Sequence, residues 1–534
     1  MNRPRSIFRF AFVPVVVFLS LSILVPGIED YGITWDEAET NFPAARNQVD
    51  WWRTFLATGL GLDRESVRNG FETESDHPSL PRTWMAFGRL ALGEGTSDRV
   101  AFAVPTALLA ALFLGIFWWT SSRRTSILAA TLASSLLLFH PRWFAHSHFA
   151  AYDLPIAAMG WLTAITFSWS VEATSTRTGR VWKDRWIEWK RPLAAGAVFG
   201  LAISVKLHAF FFPFPLLAWS ALHRKVSAWR WAVACAFLGP AVYLGTQPYL
   251  WWDTTERMFS RFRDYRTKVP IDVYYLGDLY PGDLPWHYPW VMLWATLPVG
   301  FALFLALGLL SGATGRMKSR SSPGRLEWWS FLALNAATTP LLFTWKSPYD
   351  GVRLFLGSLP FLAALAAEGF ELARERLSNR VGNRWTRVAV VPLAALAVGA
   401  QIRDCIRTHP DQTAYYSAAV GGIAGANRLG LETTYWCDSI TAGFLLDVAE
   451  RVSPEARVRT HAFDPSVLIE YQRAGVVPPG WTFDREAGPP DLRIVQFRQG
   501  FFGPLEWSLT GSRRLPLKMR TVDGVPLVQA YRGP

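Results

Sequence analysis

Apolar and polar residues fall in long blocks along this chain, not in the short alternations of a strand or a surface helix. Eleven largely apolar blocks follow one another, at about residues 7–26, 99–120, 127–139, 154–171, 193–205, 209–222, 231–248, 288–310, 327–345, 352–370 and 388–400. Several hold the ~18–20 residues that a helix needs to cross a ~30 Å hydrocarbon layer. The pattern predicts a polytopic α-helical membrane protein of about eleven spans. The first block follows Arg3, Arg5 and Arg9. It is long and ends without a small-x-small cleavage site, so it is expected to stay as a span and not to be removed as a leader.

The connections between blocks alternate in charge. Basic residues collect at the N-terminus, at Arg123 and Arg124, across 172–191, at Arg224 and Lys225, across 312–326 and across 371–387. Cytoplasmic loops carry the excess of Lys and Arg, so the N-terminus is expected in the cytoplasm and the tail outside. The first outer loop, 28–98, is different: between Glu29 and Asp76 it holds eleven Asp and Glu against four Lys and Arg. Within it, 82–92 is too short to span. It is expected to lie at the interface, with Trp84, Phe87 and Leu90 toward lipid and Arg82 and Arg89 toward head groups. Residues 1–400 thus form a transmembrane domain. The tail, 401–534, has no further span. Strand-like runs at 493–497 and 527–531 between Gly and Pro turns predict a small extracytoplasmic α/β domain.

Composition sharpens this picture. Half of the 534 residues are hydrophobic and 18% are charged, with 27 Trp and 36 Phe. The net charge of +12 is spread in short clusters between spans, which fits topology signals and not a nucleic-acid surface. No phosphate loop and no dinucleotide-binding glycine pattern occurs. Three cysteines are present; Cys405 and Cys437 could pair if the tail lies outside, or remain as two free thiols.

The candidate chemistry lies where spans meet the outer side. Asp36, Glu37, His77, His146, His148, Asp153, Lys206 and Arg353 come from different segment ends, and the topology brings all of them to one interface. Carboxylates beside hydrocarbon are costly and mark function when they face a cavity. Asp36 or Glu37 could act as a general base or hold a divalent metal. Neighbours on a helix diverge by about 100°, so only one of them faces the cavity, and Asp36 could instead be an N-cap for a helix beginning at Glu37. Asp153, ahead of Leu154 and Pro155, suits capping or catalysis alike. Lys206 is a snorkelling cation or a phosphate ligand. Arg353 offers a planar fork to phosphate oxygens or an ion pair with Asp350. His146 and His148 fit interfacial packing better than a metal site.

Several short motifs, in this order and on one side, resemble the C superfold of membrane glycosyltransferases, in its family 39-like branch of protein O-mannosyltransferases and bacterial aminoarabinose transferases. They are Trp35-Asp36-Glu37-Ala38, His77-Pro78-Ser79-Leu80, Ala151-Tyr152-Asp153-Leu154-Pro155, the stretch from Gly200 to Lys206, and Tyr349-Asp350-Gly351-Val352-Arg353. A tail stretch from His409 through Tyr435-Trp436 is similar to one in bacterial members, and the resemblance covers about residues 5–440. Ser79 departs from it, standing where a second Pro is frequent.

The resemblance implies a C-type glycosyltransferase fold in the bacterial inner membrane and an inverting transfer. A polyprenyl-phosphate sugar would be the donor, and a lipid, glycan or protein outside the cytoplasm the acceptor. Asp36 would be the catalytic carboxylate, Glu37 its partner and Asp153 a second acid; Lys206 and Arg353 would hold the donor phosphate, and His77 and Tyr349 would line the site. Metal dependence stays open. The competing class is a transporter or flippase of a lipid-linked or anionic solute. Transporters place such charges near the midplane, often between internal repeats, whereas here they sit at span ends and no repeat is present.

Overall fold

The computed structural model describes residues 9–71, 77–172, 182–267, 270–313, 323–345, 349–483 and 488–533. Asp76, the 346–348 segment and much of the two basic segments 172–191 and 312–326, Arg316, Lys318 and Arg320 included, lie outside them.

All eleven apolar blocks are helical where described. Among the described residues, five helices are both long and apolar enough to cross a membrane: Arg9–Asp30, Asp98–Ser122, Asp153–Glu172, Arg353–Gly382 and Ala389–Thr408. A sixth crossing results if the pair Tyr288–Thr296 and Val299–Gly312, bent by 120°, counts as one broken span. This is fewer than the eleven expected; two of the remaining blocks form short helices. Ile127–Leu138 and Leu207–Leu222 are apolar but short; at ~1.5 Å per residue neither covers ~30 Å alone.

An apolar surface requires the bilayer. Phe10, Val15, Phe18 and Leu19 of the first helix all stand exposed, a patch that water would not tolerate. The chain is an integral membrane protein. The spans Asp98–Ser122, Asp153–Glu172 and Arg353–Gly382 are mostly buried, around one large core that includes Trp143, Trp161, Phe167, Phe304 and Phe370.

Close helix approach is visible at Gly308 and Gly369. A Cβ on Gly308 would lie 2.0 Å from the Leu365 carbonyl oxygen, and one on Gly369 would lie 1.9 Å from that of Phe304. Each helix presents its glycine to the other's backbone, the small-residue packing that membrane helices favour. The helical run Leu359–Thr408 is broken by a kink at Gly382 (φ 81°), inside the basic segment 371–387.

Two features of the first outer loop differ from expectation. The segment 80–92 is a helix, Leu80–Leu92, with Trp84 and Phe87 partly exposed, but its arginines do not reach for head groups. Arg82 is buried and donates from Nε to Asn41 Oδ1 at 3.1 Å. Arg89 is buried too, donating to the carbonyls of Gly93 and Thr96 and pairing with Asp98. The acidic loop supplies the carbonyls and carboxylates that make burial of these cations affordable.

In the tail, strands β3 (Val458–His461), β4 (Leu492–Gln496), β5 (Lys518–Val522) and β6 (Val525–Arg532) form one sheet in the order β3-β4-β6-β5; β1 and β2 are a separate hairpin, Val273–Tyr275 with Asp278–Tyr280. Only the β3–β4 pair is parallel. One face of the sheet packs with Phe444, Val467 and Trp481 onto Ile33, Phe42 and Val49 of the first loop, so the tail sits directly against the acidic segment. Cys405 and Cys437 are both buried and free; the disulfide alternative is not what forms.

Candidate active site

The site is assembled from four chain segments that meet around Arg353. The first is the turn that leads into the helix Phe42–Thr58. Thr34 and Glu37 form a reciprocal capping box there: Thr34 N donates to Glu37 Oε2 at 2.8 Å, and Glu37 N donates to Thr34 Oγ1 at 3.3 Å. The cap therefore belongs to Thr34. Asp36 makes no capping hydrogen bond, and its carboxylate is free to point elsewhere. The turn from Glu37 to Asn41 is a π-helix, a local widening of the helix that is frequent at functional sites.

Asp36 and Glu37 diverge as neighbours on a helix must. Asp36 is 38% exposed and accepts from Arg353 Nη1 at 3.0 Å. Glu37 is fully buried; it pairs with Arg99 and accepts from Ala150 N at 2.6 Å. Glu37 ties the first loop to the chain around Ala150 and does not face the cavity.

The second segment opens the helix Asp153–Glu172. The Asp153 side chain is buried between Lys206, whose Nζ donates to Oδ1 at 2.7 Å, and Arg353, whose Nε stands 3.6 Å from Oδ2. Lys206 ends the helix Trp182–Val205 and is mostly buried, not snorkelling.

The third segment is the turn before the helical stretch at Arg353–Ser358. Asp350 (φ 58°) and Gly351 (φ 61°) are both left-handed, a conformation that Asp tolerates and Gly adopts freely. A Cβ at Gly351 would also lie 2.7 Å from Arg142 Nη1. The double turn sets Arg353, 4% exposed, beneath three carboxylates: Asp36, Asp153 and Asp350, the last at 3.3 Å from Nη2.

The fourth segment comes from the tail. Trp436 lies over the Arg353 guanidinium at 4.4 Å. Arg498 donates from Nη2 to Asp350 Oδ1 at 2.7 Å and stacks on Phe501 at 4.0 Å. Burial pushes the Asp350 carboxyl above its usual range, against the pull of Arg498 and Arg353. Sequence patterns did not mark Arg498; Trp436 carried only the signal of the Tyr435-Trp436 resemblance.

The remaining expected residues lie close by. The His77 ring is 4.9 Å from that of Tyr152, which precedes Asp153. Tyr349 stands 5.6 Å below the Arg353 guanidinium. His146 and His148 are buried and neutral, their pKa values pushed down to about 3 by desolvation; His146 packs at a tilt against Trp436, and His148 stacks on Tyr31. Among the described residues no group of three or more His, Cys, Asp or Glu is arranged to hold a metal ion, and each site carboxylate is already held by a cation.

Three carboxylates and three cations (Lys206, Arg353, Arg498) thus share one buried cluster. It stands at the polar end of a narrow cleft, about 20 Å³ in volume, that Asp153 and Arg353 line together with His208, Ile156, Leu216 and Phe361. A charged end and an apolar run suit an amphipathic ligand with an anionic head.

The fold is similar to that of ArnT from Cupriavidus metallidurans in the apo state, with a TM-score of 0.54 and 14% identity over 97% of this chain and 98% of that one. The same protein bound to undecaprenyl phosphate matches with a TM-score of 0.51 and 13% identity, over 97% and 98% of the two chains. An oligosaccharyltransferase from Archaeoglobus fulgidus, tethered with an acceptor peptide, follows at 0.47 and 13% identity, over 89% and 63%. No family model and no curated protein sequence matches the chain.

Proposed function

We propose that this protein is an integral membrane glycosyltransferase that takes a sugar from a polyprenyl-phosphate donor and passes it, with inversion, to an acceptor outside the cytoplasm. The observation that carries this is Arg353, a buried guanidinium set among Asp36, Asp153 and Asp350 where an apolar cleft ends. The fold shared with ArnT, which has been seen bound to undecaprenyl phosphate, supports a lipid-linked donor.

In this proposal the isoprenoid chain lies along the cleft and the donor phosphate rests on Arg353 and Lys206. Asp36, the most exposed of the three carboxylates, takes the proton of an acceptor hydroxyl or amine as that atom attacks the anomeric carbon. The bond from that carbon to the phosphate oxygen breaks, and its electron pair leaves on the polyprenyl phosphate. Arg353 and Lys206 meet the charge that develops there. Attack opposite the phosphate inverts the centre. Asp153 keeps Lys206 and Arg353 aimed, while His77 and Tyr349 border the sugar. Residues 1–400 form the catalytic membrane domain and 401–534 an outer domain that closes the site with Trp436 and Arg498.

The test is purified protein incubated with labelled polyprenyl-phosphate sugars and cell-envelope extract, with products identified by mass spectrometry. Transfer of label to an extract component is expected. Movement of intact donor across vesicles without transfer would replace this proposal with a transporter. Orientation is tested separately by impermeant thiol labelling of intact cells, the native cysteines all being buried. Glu455→Cys in the tail should label and Arg123→Cys should not.

A further inference from the structure

The helix Asp153–Glu172 joins the active-site cluster to a second cavity. Its 20 residues at ~1.5 Å each separate Asp153 from Glu172 by ~30 Å, one hydrocarbon thickness. Around Glu172, at the opposite membrane face, a cleft of about 440 Å³ opens between helix ends. Three cations line it against two carboxylates. Arg124 pairs with Glu172, and Lys225 pairs with Glu327 at 2.8 Å. Arg224 is exposed and forms no ion pair among the described residues. The walls are aromatic: Arg124 packs 5.1 Å from the Trp328 ring and Lys225 5.8 Å from that of Trp219. Val171 and Phe331 add apolar surface.

We propose that this cleft binds the phosphate of an anionic lipid from the leaflet it faces. The cations supply the charge and Arg224 is the one left uncommitted, so an incoming phosphate need break no existing pair to reach it. Tryptophan beside basic side chains is the composition of a membrane–water boundary. A lipid phosphate brings acyl or glycerol carbon that can use Val171, Phe331 and the indole faces; a free phosphate ion cannot. The basic connections at this end are those expected in the cytoplasm, where the leaflet carries anionic lipids that basic pockets between helices retain. The site is separate from the Arg353 cluster and stands whether or not sugar transfer does.

The test is native mass spectrometry of the purified full-length protein mixed with phosphatidylglycerol, with phosphatidylcholine of the same acyl chains, or with inorganic phosphate alone. Phosphatidylglycerol adducts should exceed phosphatidylcholine adducts about tenfold. The double variant Arg224→Ala, Lys225→Ala should lower phosphatidylglycerol retention about ten- to thirtyfold, the loss of two basic contacts, and leave phosphatidylcholine retention unchanged. Arg224→Lys should keep most of the binding, and unchanged thermal unfolding confirms that the variants are folded. Equal phosphatidylglycerol retention by wild type and double variant overturns the proposal. Binding of inorganic phosphate with no preference among lipids also overturns it, and would make the cleft a site for the free ion.

Discussion

Arg353 Nη1 donates to Asp36 Oδ2 at 3.0 Å across 317 positions of sequence. The same guanidinium stands 3.3 Å from Asp350 and 3.6 Å from Asp153, so every carboxylate of the site shares one arginine. Asp153 also holds Lys206 and Asp350 also holds Arg498. Asp36 alone relies on Arg353 and on solvent. A phosphate that enters this neutral cluster needs a cation, and the contact that yields at least cost is the exposed one to Asp36.

Substitution of Arg353 tests the phosphate assignment. Arg353→Ala is expected to cost about 2–4 kcal/mol of transition-state stabilisation, as loss of a single well-placed donor does. Arg353→Lys keeps the charge but loses the fork that spans three carboxylates and a phosphate, and should weaken donor binding markedly. Donor titration of both variants measures this. Unchanged affinity in both would leave Arg353 a purely structural ion-pair partner.

Glu37→Gln should act on stability and not on chemistry. The carboxylate is fully buried against Arg99 and two backbone N–H groups, those of Thr34 and Ala150. Removing one charge of a buried pair strands the other and costs about 3 kcal/mol. The variant should unfold at clearly lower temperature, while turnover per folded molecule falls less than tenfold. An unchanged unfolding temperature with no turnover would move Glu37 into the mechanism.

Asp36, Asp153, Lys206 and Arg353 were legible in the sequence because hydrophobic blocks define span ends, and span ends on one side of a membrane share a plane. Their mutual pairing was not legible, since it depends on which helices adjoin, and block length carries no such information. Thr34 and Glu37 are spaced as a capping box requires, a local signal that removes the capping alternative for Asp36 without any structure. Arg82 and Arg89 show the opposite case: their helix is amphipathic enough to suggest lipid contact, and only the docked tail and acidic loop explain their burial. Arg498 lies 145 residues beyond Arg353 in a mixed α/β tail, where an isolated Arg between Phe497 and Gln499 has no pattern to mark it.

A buried carboxyl in the tail predicts a pH dependence of stability. Desolvation, with some help from Asp411 and Glu37, raises the pKa of Asp438 to about 7, although Thr413 donates to it. The folded protein then holds a proton that the unfolded chain has released between about pH 4 and pH 7, so stability falls as pH rises through that window. Asp438→Asn keeps the shape and removes the titration. It should stabilise the protein above pH 7 by about 4 kcal/mol and do nothing below pH 4. Thermal unfolding from pH 4 to pH 8 checks this; parallel curves for wild type and variant would rule it out.

The sharpest test of the proposed mechanism sets Asp36→Asn against Asp153→Asn. Asp36 makes no capping bond, and the Thr34–Glu37 box holds its turn, so Asp36→Asn should fold and unfold as the wild type does. It frees Arg353 from its exposed partner, so donor binding should hold or tighten. Without the base, transfer should fall by about 10²–10⁴, the range that general acid–base assistance supplies. Asp153→Asn is different: it leaves Lys206 and Arg353 buried without their shared counter-charge, and should lower both stability and donor affinity. The measurements are single-turnover transfer from a labelled lipid donor, donor titration and thermal unfolding on matched preparations. An Asp36→Asn enzyme that transfers sugar at near-wild-type rate removes Asp36 from the chemistry, and loss of transfer in Asp153→Asn with donor affinity intact would pass the role of base to Asp153.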